Sequence, residues 1–184
     1  MHQFVTTLRS LATCACLAAL AGCASTKPAP GAAVSAGAVV SATDIDRLTG
    51  APWTGTLTYL DYTSHVPTTI KSSLLMTRLP EQSDGAFAWE MRVGYADEPH
   101  ANSGETAVLM RGGRVFRDGQ VMERTVLSDG TVRVVTEQDG QDDKRAARFR
   151  LVYLLSEKQC SIQKLVRLAQ EEEFFERHIY RWSR

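Results

Sequence analysis

Residues 86–95 read Ala-Phe-Ala-Trp-Glu-Met-Arg-Val-Gly-Tyr. Phe87, Trp89, Met91, Val93 and Tyr95 take every second position, with Ala88, Glu90, Arg92 and Gly94 between them. A strand sends alternate side chains to opposite faces, so this spacing predicts a half-buried strand with one aromatic, apolar face. Asp84-Gly85 stands just before it, and the same dipeptide returns at Asp118-Gly119, Asp129-Gly130 and Asp139-Gly140. Type I′ hairpin turns need positive φ at both central residues, which Asp and Gly tolerate best. The last three pairs are spaced about ten residues apart, as successive short strands require.

The same alternation continues outward. "TVRVVTE" at 131–137 and "RFRLVYLL" at 148–155 are strand-like, the latter with Phe149, Leu151, Tyr153 and Leu155 on one side. About nine or ten strands are expected, near 52–62, 67–78, 86–96, 105–111, 114–118, 120–127, 131–138, 145–156, 159–169 and 173–183. A long meander exposes two edges, and closure removes them. The expected fold is therefore all-β, an antiparallel up-and-down meander closed into a barrel of about eight to ten strands. A short helix over Asp44–Leu48 precedes it, with Thr43 as cap and Gly50 as stop. The closing segment, "EEEFFERHIYRWSR", also places Phe174, Phe175, His178, Ile179 and Trp182 on one helical face. A strand is expected there, because a hairpin with 159–169 completes the barrel.

Upstream of the domain the chain changes character. Met1–Ser10 carries Arg9 and no acid, Leu11–Ala21 is apolar apart from Thr13, and small residues lead to Cys23. This is the layout of a secretory signal, too short to span a membrane as a mature helix. Leu20-Ala21-Gly22-Cys23 resembles the bacterial lipobox at all four positions. The resemblance implies cleavage after residue 22, acylation of Cys23 and, with Ala24 next, sorting to the outer membrane of a Gram-negative envelope with the domain facing the periplasm. Several acyl chains on one residue anchor a protein durably. Residues 23–43, rich in Ala, Ser, Gly, Pro and Val, are read as a tether, and 44–184 as the barrel domain.

"LTGAPWTGTLTYLDY" at 48–62 is similar to the first strand of the calycins, the group of lipocalins and avidins. Gly50, Trp53 and Gly55 give Gly-x-x-Trp-x-Gly, one residue longer than the family's opening. The resemblance implies that Trp53 closes one barrel end against a basic residue of the last strand, for which Arg181 is the candidate. The whole domain also resembles uncharacterised bacterial lipoproteins with a lipocalin-like barrel, a family with no agreed activity to carry over.

The 21 basic and 21 acidic residues cancel, and this argues against a nucleic-acid partner. Three of four cysteines crowd the N-terminus, so no disulfide framework is implied; Cys160 lies on an apolar face and reads as a packed thiol. Tyr59 and Asp61 share a face with Trp53 and Leu57, and Lys164 shares one with Cys160, Ile162 and Val166. If both faces point inward, Asp61 and Lys164 pair inside the barrel, hold a polar ligand group, or sit at its mouths in water. Tyr95–Asn102 gathers Asp97, Glu98, His100 and Asn102 into one loop, a plain turn or a recognition loop at the mouth. No spacing there fixes a metal or a catalytic geometry, and no cofactor is implied. His65 and His178 read as structural or exposed, and "DGQDDKR" at 139–145 as a solvated hairpin tip. The ligand-binding candidates are Tyr59, Asp61, Trp89, Tyr95, His100 and Lys164. Three function classes follow: a non-enzymatic binder of a small or apolar ligand, a structural subunit that docks an envelope protein, and a hydrolase built on the Tyr95–Asn102 loop.

Overall fold

The computed structural model describes residues 38–61, 63–64 and 66–184. The signal segment, Cys23 and most of the expected tether lie outside the described residues, as does His65. The described chain forms a helix α1 (Ala42–Asp46) and ten strands: β1 (Trp53–Leu60), β2 (Pro67–Arg78), β3 (Phe87–Tyr95), β4 (Ser103–Leu109), β5 (Val115–Phe116), β6 (Gly119–Val126), β7 (Val132–Asp142), β8 (Arg145–Leu155), β9 (Gln159–Leu168) and β10 (Phe175–Ser183). Each strand pairs antiparallel with its sequence neighbours, and β1 pairs with β10 to close the barrel. All ten strands stand where the alternating pattern puts them, including the ambiguous last one.

Two kinds of turn make the hairpins. Arg117 and Asp118 have φ of 48° and 65°, and Asp143 and Lys144 have 48° and 63°. These two-residue links carry positive φ at both positions, as the twist of the flanking strands demands. The Asp-Gly pairs do something else. At Asp84-Gly85 and Asp129-Gly130 only the glycine has positive φ, 78° and 81°. The Asp Oδ1 instead accepts the backbone N–H two residues on, from Ala86 and from Thr131, each at 2.9 Å. At 118–119 the turn uses Arg117 and Asp118, and Gly119 begins β6. Asp139-Gly140 is not a turn at all, because β7 runs on to Asp142 and the tip is Asp143-Lys144. Gly140 is required there by the ring of Phe149, which lies 2.4 Å from where a Cβ would be.

The helix is displaced by two residues from the expected position. Ser41, not Thr43, is the N-cap: Asp44 N–H donates to Ser41 Oγ at 3.3 Å, and Ser41 N–H to Asp44 Oδ2 at 2.9 Å. Asp44 is thus half of a capping box as well as the partner of Arg124, whose Nε and Nη2 both donate to it at 2.8 Å. Burial raises the Asp44 pKa, but the hydrogen bonds from Arg124 and Ser41 outweigh it and hold the carboxyl below its usual range. Val40, inside the stretch read as tether, is buried and donates its N–H to Gly113 O at 2.9 Å.

The helix sits over one end of the barrel. Ile45 and Leu48 join Trp53, Leu74, Met76 and Trp89 in a single apolar cluster. Trp53 Nε1–H donates to Leu48 O at 2.8 Å, and Trp89 Nε1–H to Asp46 Oδ1 at 2.9 Å. The cation over the Trp53 ring is Arg184, at 4.3 Å, and not Arg181. Strand parity is the reason: Trp182 pairs with Gly55 and points inward, so Arg181 points outward and Arg184 returns to the inner side. Arg184 also donates to Thr49 O at 2.8 Å, to Arg47 O at 3.0 Å and to Glu157 O at 2.9 Å, stitching the chain end to the segment after α1. A Cβ on Gly55 would lie 1.9 Å from Arg181 O, so the β1–β10 seam requires glycine there.

Candidate functional site

Alternation fixes which side chains face the interior at the end away from α1. The register Tyr59↔His178↔Lys164↔Leu151↔Thr136 runs as one row across β1, β10, β9, β8 and β7. One row nearer α1, Leu57, Tyr180, Ile162, Tyr153 and Val134 are opposite one another. A second apolar cluster of Ala147, Phe149, Val166 and Leu168, with Phe175 against it, lines the far end. Tyr59, Tyr95, Leu151, Lys164, His178 and Tyr180 are only half buried although they face inward. Solvent therefore reaches the interior from this side, whereas Trp53, Leu74 and Trp89 at the α1 end are sealed.

Polar groups gather in this half. Tyr95 and Tyr180 share a hydrogen bond between hydroxyls at 2.6 Å, and the Tyr180 ring stacks on Trp182 with centroids 4.6 Å apart. Burial and the Tyr95 hydroxyl push the Tyr180 pKa up. Arg117 pairs with Glu105 beside the short strand β5, which meets β4 only at Leu109↔Phe116. Arg177 Nε lies 3.8 Å from Asp142 Oδ1. The Lys164 ammonium rests 3.8 Å from the centroid of Phe149, and burial lowers its pKa. His178 is pushed down to about 4, first by burial and then by the charges of Lys164, Arg177 and Arg117. At neutral pH it is an uncharged imidazole with hydrogen-bonding capacity.

Where the α1-end cluster, to which Tyr153 belongs, meets the far cluster, three buried atoms make no well-formed hydrogen bond among the described residues: Thr136 Oγ1, Gln138 Oε1 and Tyr153 Oη. Thr136 is 0% and Tyr153 1% exposed. Burial raises the Tyr153 pKa, opposed by the positive charge of Arg117 and by the nearby Thr136 hydroxyl and Arg117 guanidinium, which lie close to Oη without good hydrogen-bond geometry. A buried polar group without a partner is costly, and native chains keep few of them.

The sequence candidates divide. Tyr59, Tyr95 and Lys164 belong to this half. Trp89 does not; it is sealed at the α1 end with its N–H committed to Asp46. Asp61 lies in the β1–β2 turn, where Oδ1 accepts the Thr63 N–H at 2.7 Å, so it makes no pair with Lys164. Hydrogen bonds from Thr63 and Ser64 hold its pKa low. His100 is exposed on the 3-10 turn Pro99–Ala101 between β3 and β4. Asn102 serves that loop structurally, its Oδ1 accepting Tyr95 N–H at 2.7 Å. Among the described residues no three His, Cys, Asp or Glu side chains converge. His178, Tyr180, Thr136, Gln138 and Tyr153 were missed. Alternation in "RHIYRW" places His178 and Tyr180 on the Trp182 face, and that was the available signal.

A concavity of about 850 Å3 lies elsewhere, among the turns at the α1 end, bordered by Arg47, Leu127, Lys158 and Arg181. None of the three unpartnered atoms lines it. Cys160 at its edge is buried, with its thiol pushed up to about 12 by burial, and is a packed thiol. The chain matches no protein-family model and no curated protein sequence.

Proposed function

We propose that this protein is a lipid-anchored envelope barrel that binds a small ligand, apolar in body, in the half of its interior away from α1. One observation carries the reading. Thr136 Oγ1, Gln138 Oε1 and Tyr153 Oη are buried without a well-formed hydrogen bond where the α1-end cluster meets the Phe149 cluster, beside the half-buried Lys164, His178 and Tyr180. An apolar pocket with a few fixed polar groups is the usual form of a small-molecule site. The anchor comes from the lipobox, which sets the protein at a membrane surface with Cys23 as its acylated first residue, in the outer membrane and facing the periplasm.

Native mass spectrometry of the full-length protein, purified from its own envelope, tests the binding. A reproducible small molecule that leaves when Tyr153→Phe and Thr136→Val are introduced supports it. A clean protein mass in every preparation overturns it. Cys23→Ser tests the anchor separately: acyl labelling disappears and the protein leaves the membrane fraction. If the wild type takes up no lipid and the variant stays on the membrane, the anchor is wrong.

A further inference from the structure

The half of the interior away from α1 carries more positive than negative charge. The fields of Lys164, Arg177, Arg117 and Asp142 all act on His178, and those of Arg117 and Glu105 act on Tyr180, so these groups share one space. Two of the three cations have carboxylates: Arg117 has Glu105, and Arg177 has Asp142. Lys164 differs. Among the described residues its ammonium makes no direct ion pair and no hydrogen bond; its contact is the ring of Phe149, and the charge of Asp142, which pairs with Arg177, reaches it only from farther off. An ammonium carries three N–H donors, and taking one half out of water without an acceptor is costly. A leucine or methionine would pack the same inward position of β9 without that cost. The ammonium is also held in place. Phe149 lies over Gly140, where no side chain competes for the space, and offers its face to Nζ.

We propose that Lys164 is the anchor for an anionic ligand: a small organic acid whose oxyanion sits on Nζ and whose apolar body lies against Phe149, Leu151 and Phe175. The uncharged His178, directly opposite Lys164 in register, adds a neutral hydrogen-bonding group beside that oxyanion. This assignment rests on the ligand-binding reading above and adds the sign of the ligand's charge.

Calorimetric titration of the full chain with naphthalene-2-carboxylate and with 2-naphthamide, its neutral counterpart of the same shape, tests it. The acid is expected to bind tighter by about tenfold or more, the equilibrium weight of a charge-assisted hydrogen bond. Lys164→Met is expected to erase the preference while leaving the amide's affinity in place, and Lys164→Arg to restore it. Equal affinity for both probes, or a preference that survives in Lys164→Met, overturns the anion assignment and leaves a ligand-binding barrel standing. Binding of neither probe overturns both. Should Lys164→Met fail to fold, the acid-to-amide ratio of the wild type still decides.

Discussion

The two ends of this barrel interior are built from the same alternating strands and treat polar groups in opposite ways. At the α1 end every indole N–H has a partner: Trp53 donates to Leu48, Trp89 to Asp46 and Trp182 to Ser72. The carboxylate buried there, Asp44, accepts from Arg124 and from the N–H of Ser41, the cap of its own helix. Toward the other end three buried atoms make no well-formed hydrogen bond, a lysine faces inward with no carboxylate in direct contact, and a histidine is held neutral. One end is finished as a protein core and the other is not. Satisfied polar groups at one end and poorly satisfied ones toward the other are the contrast on which the proposed binding half rests, because a chain selected for stability alone has no reason to leave the second set.

The largest effect that breaks the comparison belongs to the plug. Trp53→Ala removes a fully buried indole, strands Leu48 O and takes the ring from under Arg184. It is expected to cost about 3–5 kcal/mol of unfolding free energy, read by denaturant titration. An equally modest loss there and at Phe149→Ala would mean that the ends do not differ in packing.

The next effect belongs to the open half. His178 has its pKa lowered from 6.5 to about 4, so the unfolded chain binds more protons than the folded one between those values. Stability conferred by the neutral imidazole is fully present above about pH 6.5 and is lost as pH falls toward 4. The term amounts to about 2–3 kcal/mol, discounted for partial solvent access. Melting temperature against pH should fall across that window in the wild type and flatten there in His178→Gln. The Asp44 term has the same sign at lower pH, being present above its usual carboxylate range and lost as acid protonates it.

Smaller effects sharpen the contrast. Thr136→Val replaces an unpartnered buried hydroxyl by a methyl of the same shape, and should raise stability by about 1–2 kcal/mol while weakening whatever ligand co-purifies. The same trade is expected of Tyr153→Phe, measured as a rise in melting temperature without ligand. A loss of stability in both variants would show that these hydroxyls serve the fold. Smallest is the pair of arginines in β10 and just past it. Arg184→Ala removes three hydrogen bonds to carbonyls and a cation over Trp53, for about 1–2 kcal/mol. Arg181→Ala, on an exposed outward position, should stay within about 0.5 kcal/mol.

Depth along the barrel separates residues that alternation alone places together. Phe87, Trp89, Met91, Val93 and Tyr95 were assigned to one inward face, and that face is a single strand's alternation. What fails is what depends on depth along the barrel. Trp89 and Tyr95 point the same way, yet one is sealed against Asp46 and the other meets Tyr180 across the interior. Asp61 continues the inward face of β1 by parity but falls in the turn, where the backbone of Thr63 claims it. Arg181 was chosen by proximity to the chain end; parity alone would have selected Arg184.

The sequence by itself determined the class, the approximate number and positions of the strands, and the closure of the last on the first, because a period of two and a repeated turn spacing are local properties of the chain. The proposed anchor at Cys23 likewise rests on the sequence, through the resemblance of Leu20–Cys23 to a lipobox. Only the tertiary structure decided which turns are type I′, which end α1 covers, and which inward polar residues find partners. Those outcomes depend on register and on the distance along the barrel between side chains far apart in sequence. The pairing that sets Lys164 against Phe149 and brings Thr136 and Tyr153 together in the interior joins β7, β8 and β9, and no local pattern in any one of them encodes it.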